Sequence, residues 1–267
     1  MLAILGYLMA DLAVRVLPAR FADGLGLVVA HLAFAARPPA RATLEANLGR
    51  LMPGTTATAR RTTARRAFEH FALSLLDFLR LGRLDGRALG EAIEVRGAEH
   101  LERACAAGRG VILLSAHLGN WEWGAAWLVA RGTRLSVIAR PHPNPWVERF
   151  FARRRFGRGV AMLFGRPLWP RAARALRRRE WVALMGDRRS AHGSGWAWAA
   201  ALSRRTGAIV LPAVMLRLAR GRYAACFDPP LSAEACSGGA YRAAMHRQLV
   251  RDPGQWFAFE PLPEGLA

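Results

Sequence analysis

Gly110-Val111-Ile112-Leu113-Leu114-Ser115-Ala116-His117-Leu118-Gly119-Asn120-Trp121-Glu122 is the stretch whose reading decides the fold. A run as apolar and as short as 110–116 reads as a central strand buried on both faces. Gly119-Asn120 then reads as a turn, with Asn120 as the N-cap of the next helix. Glu122 falls in the first helical turn. His117 lies just past the carboxyl end of the strand, where open α/β sheets place their sites.

Working outward, the alternation of strand and helix continues. Strands are expected at 93–95, 135–139, 181–185 and 208–216, with a helix at 98–107 and helical patterns between the later strands. Gly221-Arg222 suggests a hairpin into a strand at 223–227. The segment 60–81 carries apolar residues at 68, 71, 75, 78 and 79, a helical spacing, and 241–251 reads as a short amphipathic helix. Residues 37–59, rich in Pro, Arg and Thr, read as an irregular connection. The fold class is therefore α/β: a single sandwich domain over 37–267, with a central, largely parallel, mixed sheet flanked by helices.

The first 36 residues are strongly apolar but are divided by Asp11, Arg15 and Pro18. Neither apolar run reaches the ~20 residues of an upright span, and no basic region precedes them as in a cleaved signal peptide. They read as N-terminal membrane-associated helices, lying in or dipping into one leaflet, with a buried hairpin as the alternative.

The 267 residues are 52% hydrophobic and 22% charged, enough to bury one substantial core. A formal charge of +20 arises from 39 basic residues against 19 acidic ones, and every basic residue is arginine. An Arg- and Ala-rich, lysine-free chain reflects a GC-rich coding sequence, which weakens the inference to nucleic acid. The charge still attracts phospholipid head groups, phosphorylated sugars or an acidic carrier protein. It is concentrated in 149–179, where eleven arginines and no acids are interleaved with Phe150, Phe151, Phe156, Phe164 and Trp169. No nucleic-acid motif accompanies this stripe, which suits a water–lipid interface or a solvated helix face equally. Cys105, Cys226 and Cys236 are too few and too scattered for a disulfide framework or a zinc site, so a reducing compartment is expected.

The chemistry centres on His117 and Glu122. An imidazole can take a proton from a hydroxyl at neutral pH, and a carboxylate can fix its tautomer and stabilise the imidazolium. Five residues of continuous helix would put the two on different faces, but a loop before Asn120 lets Glu122 fold back. Asp187 with His192 is the only weak metal candidate, and no metal is expected.

The segment resembles the His-four-residues-Asp/Glu motif of the bacterial lysophospholipid acyltransferase superfamily. More closely, 108–122 is similar to the lipid A biosynthesis acyltransferase family, which includes phosphatidylinositol mannoside acyltransferases. Further blocks agree in order: Asn47-Leu48, Arg140-Pro141 with Asn144, Gly186-Asp187-Arg188, Arg205-Thr206-Gly207-Ala208, Leu211-Pro212-Ala213-Val214 and Asp252-Pro253-Gly254-Gln255-Trp256-Phe257. The chain departs from that pattern in a shortened segment at 189–204 and in lacking a basic cluster near Glu260. The resemblance implies an O-acyltransferase without a resident cofactor. It would move an acyl chain from a thioester of acyl carrier protein or coenzyme A to a hydroxyl of a lipid A precursor or related glycolipid. It also implies the cytoplasmic face of the cell inner membrane as the location. His117 would be the general base and Glu122 its orienting partner. Asn120, Arg140, Asp187 and Arg188 would bind substrate, the arginines through phosphate or developing negative charge. Other readings at this point are an inactive lipid-binding member of the same fold, a hydrolase using water as acceptor, and a basic protein binding nucleic acid or a membrane surface.

Overall fold

In a computed structural model of the chain, residues 2–165, 167–190, 193–231 and 239–262 are described. Cys236 and His192 lie outside them. Of the other two cysteines, Cys105 is exposed and Cys226 buried, and both are free thiols.

Four helices come first: α1 (Leu2–Val16), α2 (Ala19–Ala36), α3 (Pro38–Leu51) and α4 (Ala57–Leu81). Much of 37–59, expected to be irregular, is therefore helix. Prolines at the start of α3 lack only N–H groups that a first turn leaves unbonded, so they preset the helix rather than break it. Behind them Leu44, Leu48 and Leu51 form a buried stripe at helical spacing. Thr56 caps α4 by accepting from the Ala59 amide at 3.2 Å.

The alternating part follows as α5 (Gly86–Glu91), β1 (Ile93–Arg96), α6 (Ala98–Ala106), β2 (Val111–Ser115), α7 (Trp121–Ala130) and β3 (Leu135–Ile138). Next come α8 (Pro145–Phe156), β4 (Ala161–Leu163), α9 (Leu168–Arg177) and β5 (Trp181–Met185). A two-stranded ribbon, β6 (Arg189–Ser190) and β7 (Gly193–Ser194), leads into α10 (Gly195–Thr206), β8 (Ile209–Ala219), β9 (Arg222–Phe227) and α11 (Gly239–Leu249).

Seven strands form one sheet in the order β1-β9-β8-β2-β5-β3-β4. Every neighbouring pair is parallel except the β8–β9 hairpin. The expected mixed, largely parallel sheet is thus present, with β4 an edge strand that the sequence pattern did not reveal. β2 occupies the centre and is buried along its whole length. Successive side chains point to opposite faces, and each face has its own core. Ile112 and Leu114 join Leu176, Leu202, Met245 and Trp256 on one side; Val111 and Leu113 join Leu101, Trp123, Trp127 and Tyr223 on the other.

The N-terminal pair packs onto this body. Val14 belongs to one core, and Ala30 and Phe34 to the other. Asp23 of α2 is buried and ion-paired with Arg80 at 2.6 Å and Arg220 at 2.5 Å. The outward faces are apolar and exposed: Leu5, Leu8, Met9, Leu12 and Val16 on α1, and Phe21, Leu25, Val28, Val29 and Leu32 on α2. Among the described residues, α2 alone has the length and apolarity of a membrane span, with 18 residues and a mean hydropathy of 1.3. The pair therefore buries one face in the protein and leaves the other for an apolar environment.

Candidate active site

β2 and β5 are adjacent and parallel, with Ser115 opposite Met185. Continuing that register by two residues places His117 opposite Asp187, and the two side chains meet. His117 Nδ1 lies 2.9 Å from Asp187 Oδ1, and the His117 backbone N–H donates to Asp187 Oδ2 at 3.0 Å. The same Oδ2 accepts the indole N–H of Trp256 at 3.0 Å. Asp187 is almost wholly buried, while 17% of the His117 side chain is open.

Burial by itself would raise the Asp187 carboxyl. The charge of His117 and the hydrogen bonds from the His117 ring, Trp256 and the His117 amide outweigh it and hold the group down to about 2. The carboxylate is therefore ionised at neutral pH. An anionic acceptor at Nδ1 selects the tautomer with the proton there, leaving Nε2 with a free lone pair.

Glu122 is placed differently from the expectation. Asn120 does cap α7, accepting from the Trp123 amide at 3.4 Å, so the helix begins at Trp121. That start carries Glu122 towards α8, where Arg155 Nε donates to both carboxylate oxygens at 3.0 Å. Glu122 and Arg155 form a largely buried fork that ties α7 to α8. The carboxylate at the ring nitrogen is thus Asp187, supplied by the neighbouring strand, and not a folded-back Glu122.

Asn120, expected to contact substrate, is turned into the protein. It is 3% exposed, and its amide donates to the Ser74 carbonyl at 2.9 Å and the Tyr223 hydroxyl at 3.1 Å. Tyr223 in turn donates to Asp77 Oδ2 at 2.8 Å. Burial first, and then the Asp77 charge, push the Tyr223 hydroxyl well above its ordinary range, keeping it a donor. Asp77 accepts also from Arg80 and Arg217. Asn120 thus anchors the turn that follows His117 to a buried network under it.

The turn itself requires glycine at 119. Gly119 has φ +66°, and a Cβ there would stand 1.9 Å from the Met215 carbonyl oxygen. That close approach lets the Asn120 amide donate to Met215 O at 2.8 Å. From the other side, Gly119 N–H donates to Gln255 O at 3.0 Å and Phe257 N–H to His117 O at 2.8 Å. Residues 255–257 thus strap the loop that carries His117.

Around the ring stands an aromatic wall. Trp121 meets His117 edge-on at 5.1 Å, Phe257 lies 6.0 Å from Trp121, and Phe71 bridges Phe257 at 5.3 Å and Phe259 at 5.6 Å. Phe71, read as a core position of its helix, is 39% exposed on this wall. Arg140 and Arg188 are brought together by Glu260, at 3.6 and 3.4 Å, and Arg188 also donates to the Phe257 carbonyl at 3.4 Å. Trp256 and Arg155 were missed as functional partners. The Asp252–Phe257 block marks the first by order alone, and nothing local marks the second. Among the described residues, no group of three or more His, Cys, Asp or Glu side chains is placed to hold a metal.

Together these features define an α/β protein with a histidine–carboxylate pair at the carboxyl edge of a mainly parallel sheet. The model of the bacterial lipid A biosynthesis acyltransferases matches residues 2–262, and the chain belongs to that family. It is similar to the phosphatidylinositol mannoside acyltransferase of Mycolicibacterium smegmatis, 31% identical over 188 residues, covering 69% of this chain and 61% of that protein. The Mycobacterium tuberculosis protein of the same name is 36% identical over 124 residues, 45% of this chain and 37% of the relative. The chain thus aligns with about three fifths or less of the length of these relatives. A solved structure, the 1-acyl-sn-glycerophosphate (LPA) acyltransferase PlsC from Thermotoga maritima, aligns with a TM-score of 0.39 at 12% identity, covering 88% of this chain and 99% of that one.

Proposed function

We propose that the chain is an O-acyltransferase in which His117 is the general base and Asp187 its positioning partner. The observation that carries this reading is the buried Asp187 at His117 Nδ1, which leaves Nε2 free on the open side of the ring. A hydroxyl of the acceptor gives its proton to Nε2 as its oxygen attacks the thioester carbonyl. The imidazolium so formed is stabilised by the Asp187 carboxylate. Collapse of the tetrahedral adduct breaks the carbon–sulfur bond, and the proton passes from Nε2 to the departing thiolate.

The aromatic wall of Trp121, Phe71, Phe257 and Phe259 suits an acyl chain beside the reacting carbonyl, keeping water from competing with the acceptor. Arg140 and Arg188 suit a phosphate of donor or acceptor, with Glu260 giving way to it. Glu122 acts through Arg155 on the seating of α7 and α8.

The donor is an acyl thioester of acyl carrier protein or coenzyme A, and no further cofactor is needed. The acceptor is a hydroxyl of a membrane glycolipid, in the class spanned by lipid A precursors and phosphatidylinositol mannosides. The family and the relatives' names support this class. The work takes place at the cytoplasmic face of the inner membrane, with the exposed apolar faces of α1 and α2 against the lipid.

The test is to incubate membranes containing the protein with labelled acyl carrier protein and coenzyme A thioesters and identify acylated lipids by mass spectrometry. Wild type should yield a labelled glycolipid that His117→Ala does not. Equal products from both would remove His117 from the mechanism.

A further inference from the structure

A second cleft lies where α1, the carboxyl end of α4 and α8 meet, on the side of the molecule that carries the exposed stripe of α1. It encloses about 400 Å³ and is lined by Arg15, Arg83, Arg153, Arg154 and Arg158 around Asp11. Leu79, Leu81 and Phe78 form its floor. Asp11 already serves two of the arginines, Arg15 at 2.9 Å and Arg154 at 2.7 Å, so the cleft keeps a large positive excess.

Arg154 and Arg158 are held inside the cleft, while Arg83 and Arg153 stand exposed at its mouth. Arg154 lies 3.6 Å over the Phe150 ring, and Arg158 donates to the Leu84 carbonyl at 2.7 Å. Burial lowers the Arg158 guanidinium, the response of a cation short of counter-charge. The cleft also has a fixed relation to apolar surface. On α1, Ile4, Tyr7 and Val14 face the core, Leu8, Leu12 and Val16 are exposed, and Asp11 and Arg15 lie between, at the cleft.

We infer that this cleft binds the phosphodiester head group of an anionic phospholipid, whose acyl chains run along the exposed stripe of α1. Guanidinium groups match phosphate oxygens in pairs, and a site with a charged pocket beside an apolar strip fits a lipid better than a free ion. The site is separate from His117, and the inference does not depend on the acyl-transfer reading. It gives the front half of the basic stripe, around 149–158, a role that the chemistry at His117 leaves unfilled.

The test uses the full purified chain and vesicles of phosphatidylcholine with or without phosphatidylglycerol. Arg83→Gln/Arg153→Gln removes two exposed arginines of the cleft mouth. Arg174→Gln/Arg177→Gln removes the same charge from α9, in the other half of the stripe. The cleft variant should lose about tenfold in affinity for phosphatidylglycerol vesicles, and the α9 variant less than about twofold. On wild type, dihexanoyl-phosphatidylglycerol below its micelle concentration should compete with the vesicles, and inorganic phosphate at equal concentration should not. Equal losses from both variants would reduce the cleft to part of a diffuse field and overturn the site. Equal competition by phosphate would make it an ion site and overturn the lipid. Unchanged vesicle binding with weakened binding of acyl carrier protein would overturn it in favour of a protein partner. The competition arm needs no variant, so it decides the matter even if the double variant fails to fold.

Discussion

Asp187 and His117, seventy positions apart in the chain, are joined twice: side chain to side chain at 2.9 Å, and carboxylate to backbone amide at 3.0 Å. The double contact fixes both the tautomer of the ring and the position of the backbone that carries it. The two acidic residues near His117 are thereby given different work, and they should separate on substitution.

Asp187→Asn should lower kcat by roughly 10³-fold or more with little change in KM, since the amide offers Nδ1 the wrong partner for the required tautomer. Glu122→Gln should keep at least about a tenth of the rate but lose about 2 kcal/mol of stability, because Arg155 is left without its charge partner. Initial rates and thermal melts on both variants check this. A kcat for Glu122→Gln as low as that of Asp187→Asn would return the orienting role to Glu122.

The indole N–H of Trp256 reaches the His117 ring through Asp187. Trp256→Phe keeps an aromatic in the core but removes the indole donor, so the Asp187 carboxyl should rise from about 2. We expect a kcat lower by about tenfold and a stability loss of about 1–3 kcal/mol. A merely structural tryptophan would leave the acid limb of the stability profile where it is. In this variant the limb should move to higher pH.

That limb has a definite sign. The folded-state pKa of Asp187 is held below its reference value of 3.8, at about 2. Its contribution to stability is complete above about pH 4–5 and is lost as pH falls from there through about 2, where the folded state must also take up the proton. The amount is about 2 kcal/mol. Urea unfolding between pH 5 and pH 2 should show a steeper acid loss for wild type than for Asp187→Asn, in which this group no longer titrates.

Gly119→Ala should cost more than about 2 kcal/mol and abolish turnover, because the added methyl carbon would sit 1.9 Å from Met215 O and φ is +66°. Circular dichroism melts together with the product assay check it. A fully active, stable Gly119→Ala would mean that the loop does not need the close approach to β8.

Much of the fold was legible because it rests on local pattern. The apolar run at 110–116 became the central β2, and Asn120 became the cap of α7, both from residues adjacent in sequence. α3 was hidden because its prolines look like breakers until they are seen at a helix start, where no hydrogen bond is lost. β4 is a three-residue edge strand, too short for a period to show. At the site, His117 and Asp187 were both picked out, but their union depends on β5 lying beside β2 in matching register. No sequence period encodes that adjacency. Glu122 is the carboxylate nearest His117 in sequence, but the helix start at Trp121 carries it to Arg155 of α8, and that pairing too is invisible in local pattern.

The strap formed by residues 255–257 sets an order of events on the ribosome. His117 and Asp187 follow β2 and β5, and those strands can pair once β5 has left the ribosome. The hydrogen bonds from Phe257 to His117, from Gly119 to Gln255 and from Trp256 to Asp187 form only after more than sixty further residues have been translated. A nascent chain can thus carry α1, α2 and the paired β2 and β5 while the loop bearing His117 is still unbraced, and the brace is complete only once the polypeptide has been made past Phe257.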